Sequence, residues 1–343
     1  MAAEADLSMV RALLVRMDIA PEDLLGALPA DRSPLPSFAE FIPTVERLVS
    51  EGTRRCYGSY WKKILAAWPE RRLDEPLPSE IAELAEQVKA QAVVRRSGRG
   101  GRSAAEHLIG AFRRIYKVAV DDGLIAAADD PSQKVKKPKR LPSRRRGLQN
   151  ELVERIEEAA RTTGDDPALD ALLIRFHVET ASRRGGALAL TLDGLDQEQC
   201  LVLLHEKGGT SRWQPVSSTL MTHLVDHAYL RGARDGKSRV LRYHNGNPLT
   251  YRRYDGLWQR IGRHVEPVYK QGISTHWLRH TTLKWVERNF GYAVAQAFAG
   301  HADSTSDHYG ATATYVRAGI EEVAAALSAL TGEPHPLAGV TQR

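Results

Sequence analysis

Cysteine is nearly absent: Cys56 and Cys200 are the only 2 in 343 residues. They stand far apart and without metal-ligand spacing, so neither a disulfide framework nor a zinc site is indicated, and a reducing cytoplasm is the expected location. No run approaches the roughly 20 apolar residues of a membrane span, and the first residues lack the basic start and apolar core of a signal peptide. A soluble intracellular protein is expected. Internal repeats and long low-complexity segments are missing as well. One window lacks a single charge sign. Between Ser132 and Gly147 there is no acidic residue, while Lys134, Lys136, Lys137, Lys139, Arg140, Arg144, Arg145 and Arg146 crowd together.

That crowding gives meaning to a modest overall excess, 48 Lys plus Arg against 42 Asp plus Glu and a formal charge of +6. A concentrated basic tract favours an anionic polymer as partner; a solvated linker or a localisation-like sequence is the alternative. Pro131, Pro138 and Pro142 interrupt the tract, so it reads as an extended connector rather than one helix. A chain of this length has room for two domains with separate cores.

On the N-terminal side of the connector, residues 1–36 read as a helical arm carrying Val10, Leu13, Leu14 and Met17 at helical spacing. Residues 37–131 read as a four-helix bundle, with helices over Phe38 to Glu51, Thr53 to Trp68, Pro78 to Val94 and Ala104 to Asp122. Tyr57, Tyr60 and Trp61 are expected mainly in its core. The loop carrying Arg95, Arg96, Arg99 and Arg102 has glycines to keep the backbone open and cations to follow phosphates; a disordered solvated loop is the alternative. With Lys136, Lys137, Lys139 and Arg140 of the connector 132–147, these are the candidate DNA contacts.

The second domain is expected over 148–331, followed by a tail over 332–343. Glu151 to Arg161 and Ala168 to Thr180 read as helices. Leu201 to Glu206 and Arg212 to Ser217 read as a β-hairpin around Lys207-Gly208-Gly209-Thr210. Helices follow over Leu220 to Leu230, Tyr254 to Arg263, Ser274 to Phe290, Ala293 to Ala299 and Ile320 to Leu330. The fold class is therefore mainly α with a small β-hairpin or sheet in the second domain. His223 and His227 are expected as solvated helix histidines, Arg252 and Arg253 as a surface basic spot, and Trp213 and Trp258 as core.

The chemistry concentrates between Thr275 and Val316. His276, Arg279 and His280 stand at i, i+3 and i+4, so on a helix they share a face. A guanidinium offers planar, bidentate donors to phosphate oxygens, and an imidazole can move a proton near neutral pH. Phosphodiester chemistry fits that pairing. Upstream, Arg183 lies where a helix gives way to a Gly185-Gly186 turn, and Lys207 tips the hairpin. Downstream come Gly300-His301 and Tyr315.

In this order the residues resemble the tyrosine recombinase (phage integrase) family, over about residues 148–330, with 37–130 similar in outline to the family's core-binding domain. The resemblance implies a two-domain clamp on double-stranded DNA. It also implies a tyrosine that attacks the scissile phosphate and forms a 3′-phosphotyrosine bond without metal, nucleotide or other cofactor. Tyr315 would be the nucleophile, His276 the base, Arg183 and Arg279 the grip on nonbridging oxygens, Lys207 the proton donor to the 5′-oxygen, and His301 a further hydrogen bond to the phosphate. Partners would be an inverted-repeat core site, three further copies in a tetramer on DNA and an accessory directionality factor. Its last helix would dock on a neighbour or on its own domain.

Some positions depart from the family pattern. Gly186 stands where an acid is frequent, Ala181 where a glycine is common, and Arg184 competes with Arg183. Tyr309 is the alternative nucleophile. A type IB topoisomerase-like relaxing enzyme and a catalytically inactive DNA-binding protein on the same fold are the other readings.

Overall fold

The computed structural model describes residues 9–10, 12–17, 35–93, 100–139, 141, 146–205, 209–300 and 318–339. The chain divides into two compact units, Met1–Leu141 and Pro142–Arg343. Of the N-terminal arm, residues 9, 10 and 12–16 are helical.

The first unit is built from α1 (Phe38–Leu48), α2 (Glu51–Ala67), α3 (Pro78–Ala90), α4 (Arg102–Asp121) and the short α5 (Pro131–Lys134). Caps explain the breaks. Ser37 accepts from Glu40 N, and the Glu40 carboxylate accepts from Ser37 N at 2.8 Å, a reciprocal box that starts α1. Ser50 caps α2, so the first helix stops at Leu48 instead of running to Glu51. Phe38, Trp61, Phe112 and Tyr116 meet in the core, Phe38 and Phe112 edge to face at 5.9 Å. The polar ends of the larger rings are satisfied: Trp61 Nε1 donates to Ala111 O at 3.3 Å and Tyr116 OH to Leu73 O at 2.9 Å.

The basic tract does not begin as an extended connector. Pro131 to Lys134 form one helical turn, with Pro at its first position and Asp130 accepting from Ser132 N at 2.8 Å. Arg113 of α4 donates to Ser132 O at 3.3 Å and to Val135 O at 3.0 Å, and Ser132 and Val135 are buried. The described residues 136–139 have no regular structure, and Lys136, Lys137 and Lys139 are exposed.

The second unit contains α6 (Asn150–Thr162), α7 (Pro167–Thr180), α8 (Arg184–Ala189), α9 (Ser218–Leu230), α10 (Tyr251–His264), α11 (Glu266–Gln271), α12 (Thr275–Ala299) and α13 (Ile320–Thr331). Its antiparallel sheet has the order β1 (Leu195–Asp196), β2 (Leu201–His205), β3 (Ser211–Pro215), with Leu201 opposite Pro215 and His205 opposite Ser211. Helix α12 is broken at Gly291, whose φ of +84° no helix accommodates. Residues α7, α8, α9 and α10 share one core with β2. A second cluster joins Ala181, Val286, Phe298, Val323 and Leu327, so α13 packs on α12 of its own unit. The segment after α13 is also held: Glu333 accepts from Thr219 Oγ1 at 2.6 Å, and buried His335 contacts Cys200 O at 3.2 Å.

Several surface expectations are corrected. His227 is buried, and its Nε2 accepts from Arg242 N at 3.3 Å. Arg253 is no surface cation: it bonds Asp170, which is fully buried, at 2.6 and 2.8 Å. Trp213 is 42% exposed because Gln214 takes the inward position on β3, while Trp258 is buried as expected. The Gly185-Gly186 pair is the first turn of α8, not a loop.

Candidate active site

The site is organised by the start of α12. Thr275 is buried and its Oγ1 accepts from Trp258 Nε1 at 2.8 Å, which fixes where the helix begins. From there His276 points to solvent, Trp277 and Leu278 pack inward, and His280 is half-buried. The His276 and His280 rings meet edge to face at 4.7 Å. The two imidazoles therefore share a face, as their spacing predicts. Arg279 does not lie out on it.

Instead Arg279 is 3% exposed and reaches across the unit. One terminal nitrogen donates to Ala181 O and the other to Ala299 O at 2.8 Å. Ala181 stands two residues before Arg183, and Ala299 two residues before His301. A single guanidinium thus joins the backbone leading into two other candidate residues. Charge-assisted bonds to carbonyls satisfy acceptors that helix ends leave open: Ala181 caps α7 and Gly300 caps α12, both in the left-handed region at φ +48° and +67°.

The turn from Thr180 to Arg183 is bonded at every residue. Thr180 Oγ1 donates to Phe176 O and accepts from Ser182 N at 3.2 Å, and Ala181 N donates to His177 O at 3.1 Å. His177 Nδ1 lies 3.2 Å from Ser182 O, and its Nε2 lies 2.8 Å from Tyr254 OH. A carbonyl can only accept, so Nδ1 carries the proton and Nε2 accepts from the tyrosine. Burial, reinforced by the nearby Arg184 and Arg279 charges, pushes His177 down to about 3, so it is neutral. Arg183 then caps α8 in an extended conformation and is half-buried. Arg184 turns the other way, 5.4 Å from the Tyr251 ring and 3.3 Å from Asp255.

The hairpin is held close to these elements. A Cβ on Gly186 would sit 3.5 Å from His205 O, at the end of β2, and His205 Nδ1 meets Ser211 Oγ at 2.7 Å across the hairpin neck. On the far strand, Arg212 packs so tightly on Gly300 that any side chain there would collide with it. Helix α8, the hairpin and the C-terminal end of α12 are in this way mutually fixed.

Of the expected site residues, Arg183, His276 and Arg279 are described; Lys207, His301, Tyr315 and the alternative Tyr309 lie outside the described residues. Among the candidate DNA contacts, Arg102, Lys136, Lys137 and Lys139 are exposed, while Arg95, Arg96, Arg99 and Arg140 lie outside the described residues. No group of His, Cys, Asp or Glu among the described residues is placed to hold a metal ion. His177, Ser182 and Tyr254 were missed from sequence. The available signal was Asp170, His177 and Glu179 inside the largely apolar α7, where a buried polar residue demands a partner.

A model of the phage integrase family matches residues 146–316. Tyrosine recombinase XerD of Mycobacterium tuberculosis is 30% identical over 216 residues, covering 60% of this chain and 67% of its own. Tyrosine recombinase XerC of Pseudomonas putida is 27% identical over 270 residues, covering 77% of this chain and 86% of its own. Among solved structures, a lambda integrase tetramer bound to a Holliday junction superposes with a TM-score of 0.58 at 16% identity, covering 86% of this chain and 80% of that one. The chain belongs to the phage integrase family and is a tyrosine-type site-specific recombinase.

Proposed function

We propose that this recombinase is the integrase of a mobile element, cutting and rejoining double-stranded DNA at an inverted-repeat core through a phosphotyrosine intermediate. The Tyr315 oxygen attacks phosphorus, its proton passes to His276, and the bond to the 5′-oxygen breaks as Lys207 protonates it. Arg183 and Arg279 balance the charge that grows on the nonbridging oxygens, with His301 adding a hydrogen bond. The phosphotyrosine keeps the energy of the broken ester, so rejoining to another 5′-hydroxyl needs no nucleotide.

The observation that carries this reading is Arg279, bonded to Ala181 O and Ala299 O. The brace supports convergence of the Arg183, Arg279 and His301 stretches on one phosphate. The exposed Lys136, Lys137 and Lys139 suit a duplex backbone, and exchange between two duplexes calls for four copies on DNA, as in the lambda integrase tetramer on its junction.

The test is a nicked duplex built on the inverted repeat in the DNA flanking the gene. A covalent adduct should form in the presence of a metal chelator, survive denaturation, and disappear in Tyr315→Phe but not Tyr309→Phe. The reverse pattern transfers the nucleophile to Tyr309. No adduct from the unmodified protein rejects the reading.

A further inference from the structure

We propose that His177 and Tyr254 are positioning residues for Arg183, acting through Ser182 and the left-handed Ala181 turn. This rests on the recombinase reading for the role of Arg183, but not for the geometry. What the Arg183 side chain can reach depends on how its backbone is held. That backbone leaves α7 through Ala181, which is held from one side by Arg279. From the other side it is held by His177, whose Nδ1–H reaches Ser182 O at 3.2 Å, with Ser182 Oγ at the same distance.

The imidazole is itself fixed. Tyr254 OH donates to its Nε2 at 2.8 Å, and Tyr254 comes from α10, an element far away in sequence. His177, Ser182 and Tyr254 are each 1% exposed, so these bonds are made without competition from water. The chain Tyr254 to His177 to Ser182 therefore links α10 to the residue just before the first arginine. An arginine displaced by about 1 Å from a transition state can reduce a rate on the order of 100-fold. A neutral imidazole bonded at both nitrogens suits this task, because it holds direction without placing a third cation beside two arginines.

The experiment compares unmodified protein with Tyr254→Phe, His177→Leu and His177→Asn. Asn can still donate toward Ser182 O, so it serves as the conservative variant. Two readouts are taken: amide hydrogen exchange at residues 181–184, and the single-turnover cleavage rate of the nicked duplex at saturating protein, alongside DNA affinity. Tyr254→Phe, which keeps the ring and removes one hydroxyl, should speed exchange at 182–184 about tenfold. His177→Leu should lower the cleavage rate between about 10- and 100-fold with affinity within about twofold, and His177→Asn should recover most of the loss. Unchanged exchange in Tyr254→Phe overturns the proposal. So does a His177→Leu protein that cleaves at the unmodified rate, or one that loses affinity in step with rate. If the unmodified protein forms no adduct, the recombinase reading falls alone, and hydrogen exchange still decides whether the relay holds the turn.

Discussion

In the first unit the aromatic side chains with no exposed surface are Phe38, Trp61, Phe112 and Tyr116, and the buried polar side chains, Ser37, Asp130 and Ser132, lie at helix starts. In the second unit Asp170, His177, Glu179, Ser182 and Arg279 sit deep among the apolar residues. Every one of those groups needs a partner of defined geometry, because an unpaired buried polar group forfeits its hydration. A core of aromatic and aliphatic contacts tolerates adjustment. A core of directed bonds specifies where a backbone turn must be, and the turns so specified lead to Arg183 and His301. The difference predicts that equal losses of stability in the two units have unequal chemical consequences.

The largest effect should come from Arg279→Ala. Two helix-end carbonyls lose their donor, which destabilises the second unit by about 2–4 kcal/mol, and strand cleavage should fall on the order of 1,000-fold. Phe112→Ala in the first unit should destabilise by about 3–5 kcal/mol through cavity formation. Even so, the protein that remains folded should cleave within about tenfold of the unmodified rate. Urea titrations with single-turnover cleavage on the same samples make the comparison. If Phe112→Ala lowers cleavage as much as Arg279→Ala, the contrast between the units is broken.

A smaller effect separates the units by pH. Burial pushes His177 down to about 3, and burial with the neighbouring Arg231 charge pushes His227 down to about 4. Both are neutral in the fold, whereas in the unfolded chain they bind a proton below about 6.5. The stability tied to their neutral forms is therefore complete above pH 6.5 and is lost as pH falls toward 4 and then 3. By pH 5 the loss is about 2 kcal/mol for each. Urea midpoints at pH 7 and pH 5 read this, and His227→Gln should remove about half of it. The first unit buries no imidazole among its described residues, so protection factors in α1 to α4, corrected for the intrinsic pH dependence of amide exchange, should change little over the same range.

The same contrast explains what could be read from sequence. The bundle helices follow from apolar spacing, since Phe38, Phe41, Ile42 and Val45 repeat along one face of α1 and nothing remote is needed to interpret them. The hairpin followed from Gly-Gly between two apolar runs, and His276 beside His280 from their four-residue spacing. Arg253 and His227 were misread as surface groups because their partners, Asp170 and Arg242, come from other elements, and periodicity carries no information about such pairs. Helix α8 was misread because Gly185-Gly186 has poor helix propensity, and packing on β2 compensates for it. The spacing of Arg279 placed it on the histidine face, and its inward course was not legible: spacing gives the face of a helix, while burial depends on what lies opposite.

Ala181 offers the finest test, because its backbone and its side chain pull in opposite directions. At φ +48° and ψ +24° it occupies the left-handed region, which destabilises an L-residue by roughly 1–2 kcal/mol and explains why glycine is common at this place in the family. Its methyl is fully buried against Val286, Phe298 and Leu327, which returns about 0.8 kcal/mol, and alanine restricts the unfolded chain more than glycine by about 0.5–1 kcal/mol. The two sides nearly cancel, so Ala181→Gly should shift stability by less than about 1 kcal/mol in either direction. Cleavage should fall by about two- to fivefold, since a glycine turn confines Arg183 less tightly even with Arg279 and His177 in place. A stability gain above about 2 kcal/mol would mean that the methyl contributes nothing and the turn is simply strained. Unchanged cleavage would mean that the directed bonds, not the residue at the turn, already fix the arginine completely, and the second unit would then be as forgiving as the first at this position.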